Sequence, residues 1–320
     1  MVIQIENLVK RYGDFLALDH LDLHVNEGDI YGLLGPNGAG KTTTIYCLVA
    51  LLNYDRGRIR IFGEDMQPNS KSIKSNIGLV LEDNAVYDEL TVYENIAYFC
   101  SLYVKDRQRV DQLTKDVMKE FKLLPYMNVY PKKLAEGVLR CVNIACGVVH
   151  KPKLLILDEP MTSIDPGLRS ELIQNLKKMN ENGTTILYAT HYLEEAENIC
   201  TKMTILNRGK VVANGTNKEV KNMISLGEKI SIEVYSLEEE KLDYIRRLPN
   251  VYSAFYKNNI LEVRSSKGHN NLVHIVTYLS ENKVPMGRIY TELPTLNDVF
   301  LEITGAGSVE DGGAYVSKSS

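Results

Sequence analysis

The stretch "GPNGAGKTT", Gly35 to Thr43, follows an aliphatic run and opens a helical pattern. Its spacing fits G-x-x-x-x-G-K-[ST]. Gly35, Pro36, Asn37, Gly38, Ala39 and Gly40 would let the backbone curl, so that several N–H groups converge on phosphate oxygens. The helix start adds partial positive charge. Lys41 is placed to reach the β- and γ-phosphates of a nucleotide, and the Thr42 hydroxyl to hold Mg²⁺ beside them, with Thr43 closing the loop. A second aliphatic run, "LLILDEP", delivers two acids at its end. Asp158 is placed to hold the Mg²⁺ hydration shell, and Glu159 to take a proton from an attacking water. His191, in "YATHYLEEAE", follows a third aliphatic run and is a further catalytic candidate.

The elements that must position these residues read as α/β. "GDIYGLLGPNGAGKTTTIYCLVALL" is strand, glycine loop, helix; "KLLILDEP" and "TTILYAT" are buried strands; "TKMTILNRGKVVANG" is a hairpin turning at Asn207-Arg208-Gly209. Short aliphatic runs alternating with helices predict a largely parallel sheet covered on both faces. From Tyr93 to Phe121 the pattern is helical, so a helical subdomain, about residues 84–147, is inserted within a first domain of residues 1–224. From residue 225 the pattern changes. "KISIEVYS", "LEEEKLDYIRRL", "YSAFYK", "NILEVRSS", "NNLVHIVTYLSEN" and "MGRIYTE" follow the order β-α-β-β-α-β, a ferredoxin-like α+β unit over residues 225–304. "TLNDVFLEIT" adds a closing helix capped by Thr295, with Asp298 three residues on. Residues 305–320, rich in Gly and Ser, are expected to be a disordered tail.

The chain has 320 residues, 44% of them hydrophobic and 24% charged, room for two cored domains. A net charge of −4 argues against nucleic acid as a partner. Five cysteines without metal-ligand spacing point to a reducing compartment. No apolar run approaches the roughly 20 residues of a membrane span, so a membrane role is expected to run through a partner.

Taken in order, these motifs resemble the ATP-binding subunit of an ABC transporter over Met1 to Gly215. Tyr12, in "KRYGDFLALD", stands where the family stacks an aromatic on adenine; "IGLVLEDNAVYDELTVYENI" stands at the Q-loop, "MTSIDP" at the D-loop, and His191 at the switch histidine. The P-loop NTPase fold with ATP and Mg²⁺ as cofactors is what the resemblance implies. The region ending "PTLNDVFLEITG" resembles the accessory domain of the branch that exports drugs and peptides, including daunorubicin, bacitracin and lantibiotic systems. In this family two nucleotide domains dimerise head to tail. Each ATP then lies between the phosphate loop of one domain and the signature of the other, so Ala135, Glu136, Gly137 and Asp165 are implied contacts to the partner's nucleotide.

Three places depart from the family pattern. The signature L-S-G-G-Q reads Leu134-Ala135-Glu136-Gly137-Val138. Loss of one preorganised donor to a transition-state charge costs about 2.7–4 kcal/mol. A carboxylate roughly 4 Å from a phosphate charge adds about 4 kcal/mol of repulsion at an effective dielectric of 20, an upper figure if Glu136 turns away. The Q-loop glutamine aligns with Glu82, which would remain a Mg²⁺ ligand but brings added charge. The D-loop carries Ile164 in place of a small residue, with Asp165 kept.

The reading is therefore an ATPase that drives export of a hydrophobic drug or peptide through a separate permease, bound peripherally at the cytoplasmic face of the membrane. Because its own loop and acids are intact while its signature is altered, a heterodimer with a second ATPase is favoured over a homodimer. Two other classes stand beside it. One is an ABC ATPase acting on ribosomes or DNA, which usually has tandem domains or coiled-coil insertions not found in this sequence. The other is a nucleotide sensor that hydrolyses little.

Overall fold

A computed structural model describes residues 1–304; the expected tail, residues 305–320, lies outside them. The chain forms two compact units, Met1–Asn217 and one that begins at Lys218. This break precedes the expected one between residues 224 and 225. The change of pattern noted there marks a strand beginning at Leu226, but the chain has already entered the second unit along the short helix Asn217–Lys221.

In the first unit β1 (Ile3–Tyr12) and β2 (Phe15–Val25) form a hairpin, and β3 (Ile30–Leu34) leads into α1 (Lys41–Leu48). Strands β4 (Arg56–Ile61) and β5 (Glu64–Asp65) return beside β1, giving an antiparallel sheet in the order β2-β1-β4-β5. Ile3, Ile5, Leu21, Leu23, Ile59 and Ile61 share a core with Ile45 and Leu48 of α1. The sequence reading contains no such sheet. The β1–β2 register shifts after Ile5, Leu8 and Lys10, and these irregularities interrupt the two-residue alternation that would announce it.

The second sheet uses β6 (Ile77–Val80), which follows α2 (Lys71–Lys74). Beyond it come three helices, α3 (Val92–Ser101), α4 (Arg107–Glu120) and α5 (Glu136–Val148), then β7 (Leu154–Asp158), α6 (Pro166–Glu181), β8 (Thr185–Thr190), α7 (Leu193–Ile199), β9 (Lys202–Asn207) and β10 (Lys210–Thr216). Its order is β10-β9-β3-β8-β7-β6, parallel except for the edge pair β9–β10. All residues of β3, β7 and β8 are buried, which is why these strands read as unbroken aliphatic runs. The expected helical stretch from Tyr93 to Phe121 is two helices. Thr91 and Glu94 cap α3 reciprocally, and the chain restarts at Asp106, whose carboxylate accepts the Gln108 N–H at 2.9 Å.

The second unit contains α8 (Asn217–Lys221) past its first residue, β11 (Leu226–Val234), α9 (Glu239–Arg246), β12 (Val251–Lys257), β13 (Ile260–Ser266), α10 (Leu272–Glu281), β14 (Met286–Glu292) and α11 (Leu296–Thr304). Its sheet is antiparallel in the order β12-β13-β11-β14. Ile230, Ile232 and Val234 alternate inward from β11 and meet Leu242, Ile245, Ile275 and Leu279 of the two helices. Thr295 and Asp298 cap α11. The Asp298 carboxylate accepts the Thr295 N–H at 2.8 Å, and the Thr295 hydroxyl accepts the Asp298 N–H at 3.2 Å.

Candidate active site

Strand register assembles the site. Leu34 at the end of β3 pairs with Thr190 at the end of β8, and Ala189 of β8 pairs with Asp158 at the end of β7. On the far side Val80 of β6 pairs with Leu157. The glycine loop, His191, Asp158-Glu159 and Glu82 therefore leave the sheet along one carboxyl edge, where α/β folds bind ligands.

The loop after β3 needs its glycines at two places. Gly35 has φ 151°, and a Cβ there would run into the Leu206 carbonyl. Gly40 has φ 107° and is the N-cap of α1, with no side chain capping it. The first-turn N–H groups of α1 are thus left for a ligand. Lys41 is buried, and its ammonium donates to the Gly35 carbonyl at 2.9 Å and the Pro36 carbonyl at 3.3 Å.

The Thr42 hydroxyl donates to Asp158 Oδ2 at 2.8 Å. Asp158 Oδ1 is buried without a hydrogen-bond partner. Burial, with Glu159 and Glu82 nearby, pushes the Asp158 carboxyl above its ordinary range, although the Thr42 bond and Lys41 pull the other way. A hydroxyl beside an orphaned carboxylate oxygen fits a divalent cation that takes its remaining ligands from water and phosphate. Glu82 lines the same cleft, but among the described residues no three acids, histidines or cysteines gather as a protein-only metal cage.

Glu159 has φ 47°, a left-handed conformation rare for a non-glycine and a mark of stored strain. Its Oε2 accepts the Thr190 hydroxyl at 3.1 Å and the His191 N–H at 3.4 Å. His191 Nδ1 lies 2.9 Å from the same oxygen, near enough for an ion pair but off the line of a hydrogen bond. Catalytic candidates Glu159 and His191 are thus brought together, with Lys41 against the other carboxylate oxygen.

The cleft, about 380 Å³, is walled by Tyr12, Phe15, Ala17, Asn37, Gly38, Gly40, Lys41, Thr42, Thr43, Glu82 and Glu159. Tyr12 and Phe15 pair across the β1–β2 hairpin and are 48% and 65% exposed, so two aromatic faces, not one, are open at the cleft. Sequence reasoning missed Phe15, although its place three residues after Tyr12 around Gly13 was a signal.

The signature residues stand apart from this cleft. Ala135 is the N-cap of α5 and has no side-chain cap to offer; Glu136 is the first helical residue, and both are exposed. A carboxylate at a helix N-terminus is favourable for the helix itself. Gly137 packs near the Ser163 carbonyl. Ile164 is buried, so the departure at that position fills space behind the D-loop and presents no side chain to a nucleotide in this chain. Asp165 caps α6, accepting the Gly167 and Leu168 N–H groups at 3.0 and 3.1 Å, and is not among the residues lining the cleft.

Two arginines escaped the sequence reading, Arg169, half-buried, and Arg140, buried. Arg169 of α6 lies 2.8 Å from Glu195 of α7, whose other oxygen accepts the Tyr188 hydroxyl at 3.2 Å, tying the helix after the D-loop to the helix after His191. Arg140 of α5 donates to five backbone carbonyls, those of Leu81, Glu82, Asp158, Glu159 and Pro160.

Comparison with known proteins bears on this geometry. The ABC transporter family matches residues 18–162. The chain is 32% identical over 310 residues to a daunorubicin resistance ATP-binding protein of Streptomyces coeruleorubidus, covering 95% of each chain. It is 30% identical over 307 residues to the linearmycin resistance ATP-binding protein of Bacillus subtilis (strain 168), covering 95% of this chain and 98% of that one. A solved ATP-binding subunit of an ABC transporter superposes with TM-score 0.65 at 27% identity, over 70% of this chain and 93% of that one.

Proposed function

The chain belongs to the ABC transporter ATP-binding family, and we propose that it is the ATP-hydrolysing subunit of an exporter that moves a hydrophobic drug or peptide through a separate permease. The observation that carries this reading is the convergence of Lys41, Thr42, Asp158, Glu159 and His191 at the ends of β3, β7 and β8. The names of two relatives matched over 95% of this chain, both drug-resistance proteins, support the cargo class. Among the described residues no helix is long and apolar enough to cross a membrane, so the path for cargo is assigned to a partner. Attachment is at the cytoplasmic face of the membrane, through that permease.

In this reading ATP enters the cleft with its adenine against Tyr12 and Phe15 and its phosphates on the loop N–H groups and Lys41. Mg²⁺, when bound, would neutralise phosphate charge, and Thr42, Asp158 and Glu82 are the residues that would hold it. Glu159 takes the proton of the water that attacks the γ-phosphorus, while the bond to the ADP oxygen breaks to give ADP and phosphate. His191, held against Glu159, orients that carboxylate and faces the same phosphate. ATP favours a closed head-to-tail dimer and hydrolysis releases it, a shift of population by differential affinity that moves the permease.

The partner ATPase is proposed to be a different chain. In a homodimer both sites would meet Ala135 and Glu136, whereas a heterodimer can give this chain's intact loop a signature with Ser and Gly. The test is co-purification of the tagged full chain from its native membrane. Recovery of a membrane-spanning partner and a second ATPase is expected; recovery of this chain alone, or with ribosomes or DNA, contradicts the reading.

A further inference from the structure

Arg140 is 2% exposed, yet among its hydrogen bonds there is no carboxylate partner. Its five acceptors are all backbone carbonyls, in two groups. Nη1 donates to Leu81 at 2.7 Å and Glu82 at 2.8 Å; Nη2 donates to Asp158 at 2.9 Å and Glu159 at 3.0 Å; Nε donates to Pro160 at 3.2 Å. Burial pulls the guanidinium below its ordinary range, and the acids Asp158, Glu82, Asp83 and Glu159 around it offset that pull. Only a planar fork with donors on three nitrogens can satisfy so many directions at once; a lysine ammonium has three donors on one atom.

We propose that Arg140 is the positioning residue that couples the chain's own nucleotide site to its signature helix. The clamp holds the segment bearing Glu82 against the segment bearing Asp158 and the left-handed Glu159. Arg140 stands four residues beyond Glu136 on α5, about one helical turn from the exposed signature end. A shift of Asp158 or Glu159 on nucleotide binding therefore pulls on the guanidinium and, through it, on the helix that serves the other nucleotide of a dimer. None of Arg140's own hydrogen bonds goes to the phosphate loop, Tyr12 or Phe15, so the loss of Arg140 leaves the direct nucleotide contacts in place.

The inference rests on the proposed assignment of the cleft to Mg·ATP, and the test separates the two. Titration calorimetry on the full chain measures ATP affinity with and without Mg²⁺, in the parent and in Arg140→Lys. Metal-free ATP affinity is expected to survive, while the tightening that Mg²⁺ brings falls by about 10- to 100-fold, as for other residues that orient metal ligands. Equal loss in both conditions makes Arg140 a general structural residue and overturns the inference. Failure of the parent to bind ATP at all overturns the cleft assignment instead. Should Arg140→Lys not fold, hydrogen exchange on the unmutated chain still decides. Mg·ATP should protect peptides covering residues 136–142 together with those covering 81–84 and 158–161. Protection at the latter two with none at 136–142 overturns the coupling.

Discussion

Lys41 Nζ lies 3.2 Å from Glu159 Oε1, and each side chain is 6% exposed. The residue proposed to grip phosphate and the residue proposed to activate water are therefore in contact, buried together. Glu159→Gln keeps the shape and removes the base. It should leave ATP bound and stop hydrolysis at this chain's own site, while Lys41→Ala should abolish binding measured by titration calorimetry. Near-parental turnover of Glu159→Gln in the assembled complex would show that Glu159 is not the base.

The paired aromatics at the hairpin end lead to a graded expectation. Base stacking on an aromatic side chain is worth about 1–3 kcal/mol. Tyr12→Ala and Phe15→Ala should each weaken ATP binding, and the same variants should bind inorganic triphosphate like the parent. If Phe15→Ala leaves ATP affinity unchanged while Tyr12→Ala does not, Tyr12 alone carries the base.

Ala135 at the N-cap of α5 makes no side-chain cap. Ala135→Ser would supply the missing acceptor, and such caps add about 1 kcal/mol. Urea unfolding of the full chain should show that gain without nucleotide present. An unchanged midpoint would mean that the serine hydroxyl does not reach the helix N–H groups.

In the second unit burial pushes the Asp298 carboxyl up, but the Thr295 bonds and Arg264, 2.6 Å away, outweigh it and hold it below the usual range. A carboxylate depressed in the folded state contributes stability above its unfolded pKa of about 3.9, and that contribution is lost as pH falls through the folded value. Stability should therefore drop below about pH 4 in the parent, with a shallower drop in Asp298→Ala. At neutral pH the same variant should cost about 1.5–3 kcal/mol, the worth of a charge-assisted hydrogen bond. Parallel pH profiles for the two chains would contradict this.

What the sequence could disclose follows from where the chemistry sits. Lys41, Thr42, Asp158, Glu159 and His191 were legible because phosphate and water chemistry demands side chains of fixed type after buried strands. The alternation of β11 and the Thr295–Asp298 cap were legible because both signals are local. Arg140 was not, because its partners are carbonyls that any residue supplies. The β1–β2 hairpin was hidden by its register shifts, and with it the position of Phe15 beside Tyr12. Ile164 was read only as a departure from the D-loop pattern; that it packs in the core, and that Asp165 caps α6 in this chain, only the fold of the loop reveals.

The central claim is that this chain's nucleotide site is intact and that its deficit lies in the signature it lends to a partner. ATP hydrolysis by the isolated chain, with and without the double change Ala135→Ser and Glu136→Gly, tests it most directly. The unmodified chain should be slow, and the repaired one faster by about 10²–10³-fold, the worth of one transition-state donor. Brisk hydrolysis by the unmodified chain, unaltered by the repair, would contradict the account and make a homodimer the working assembly.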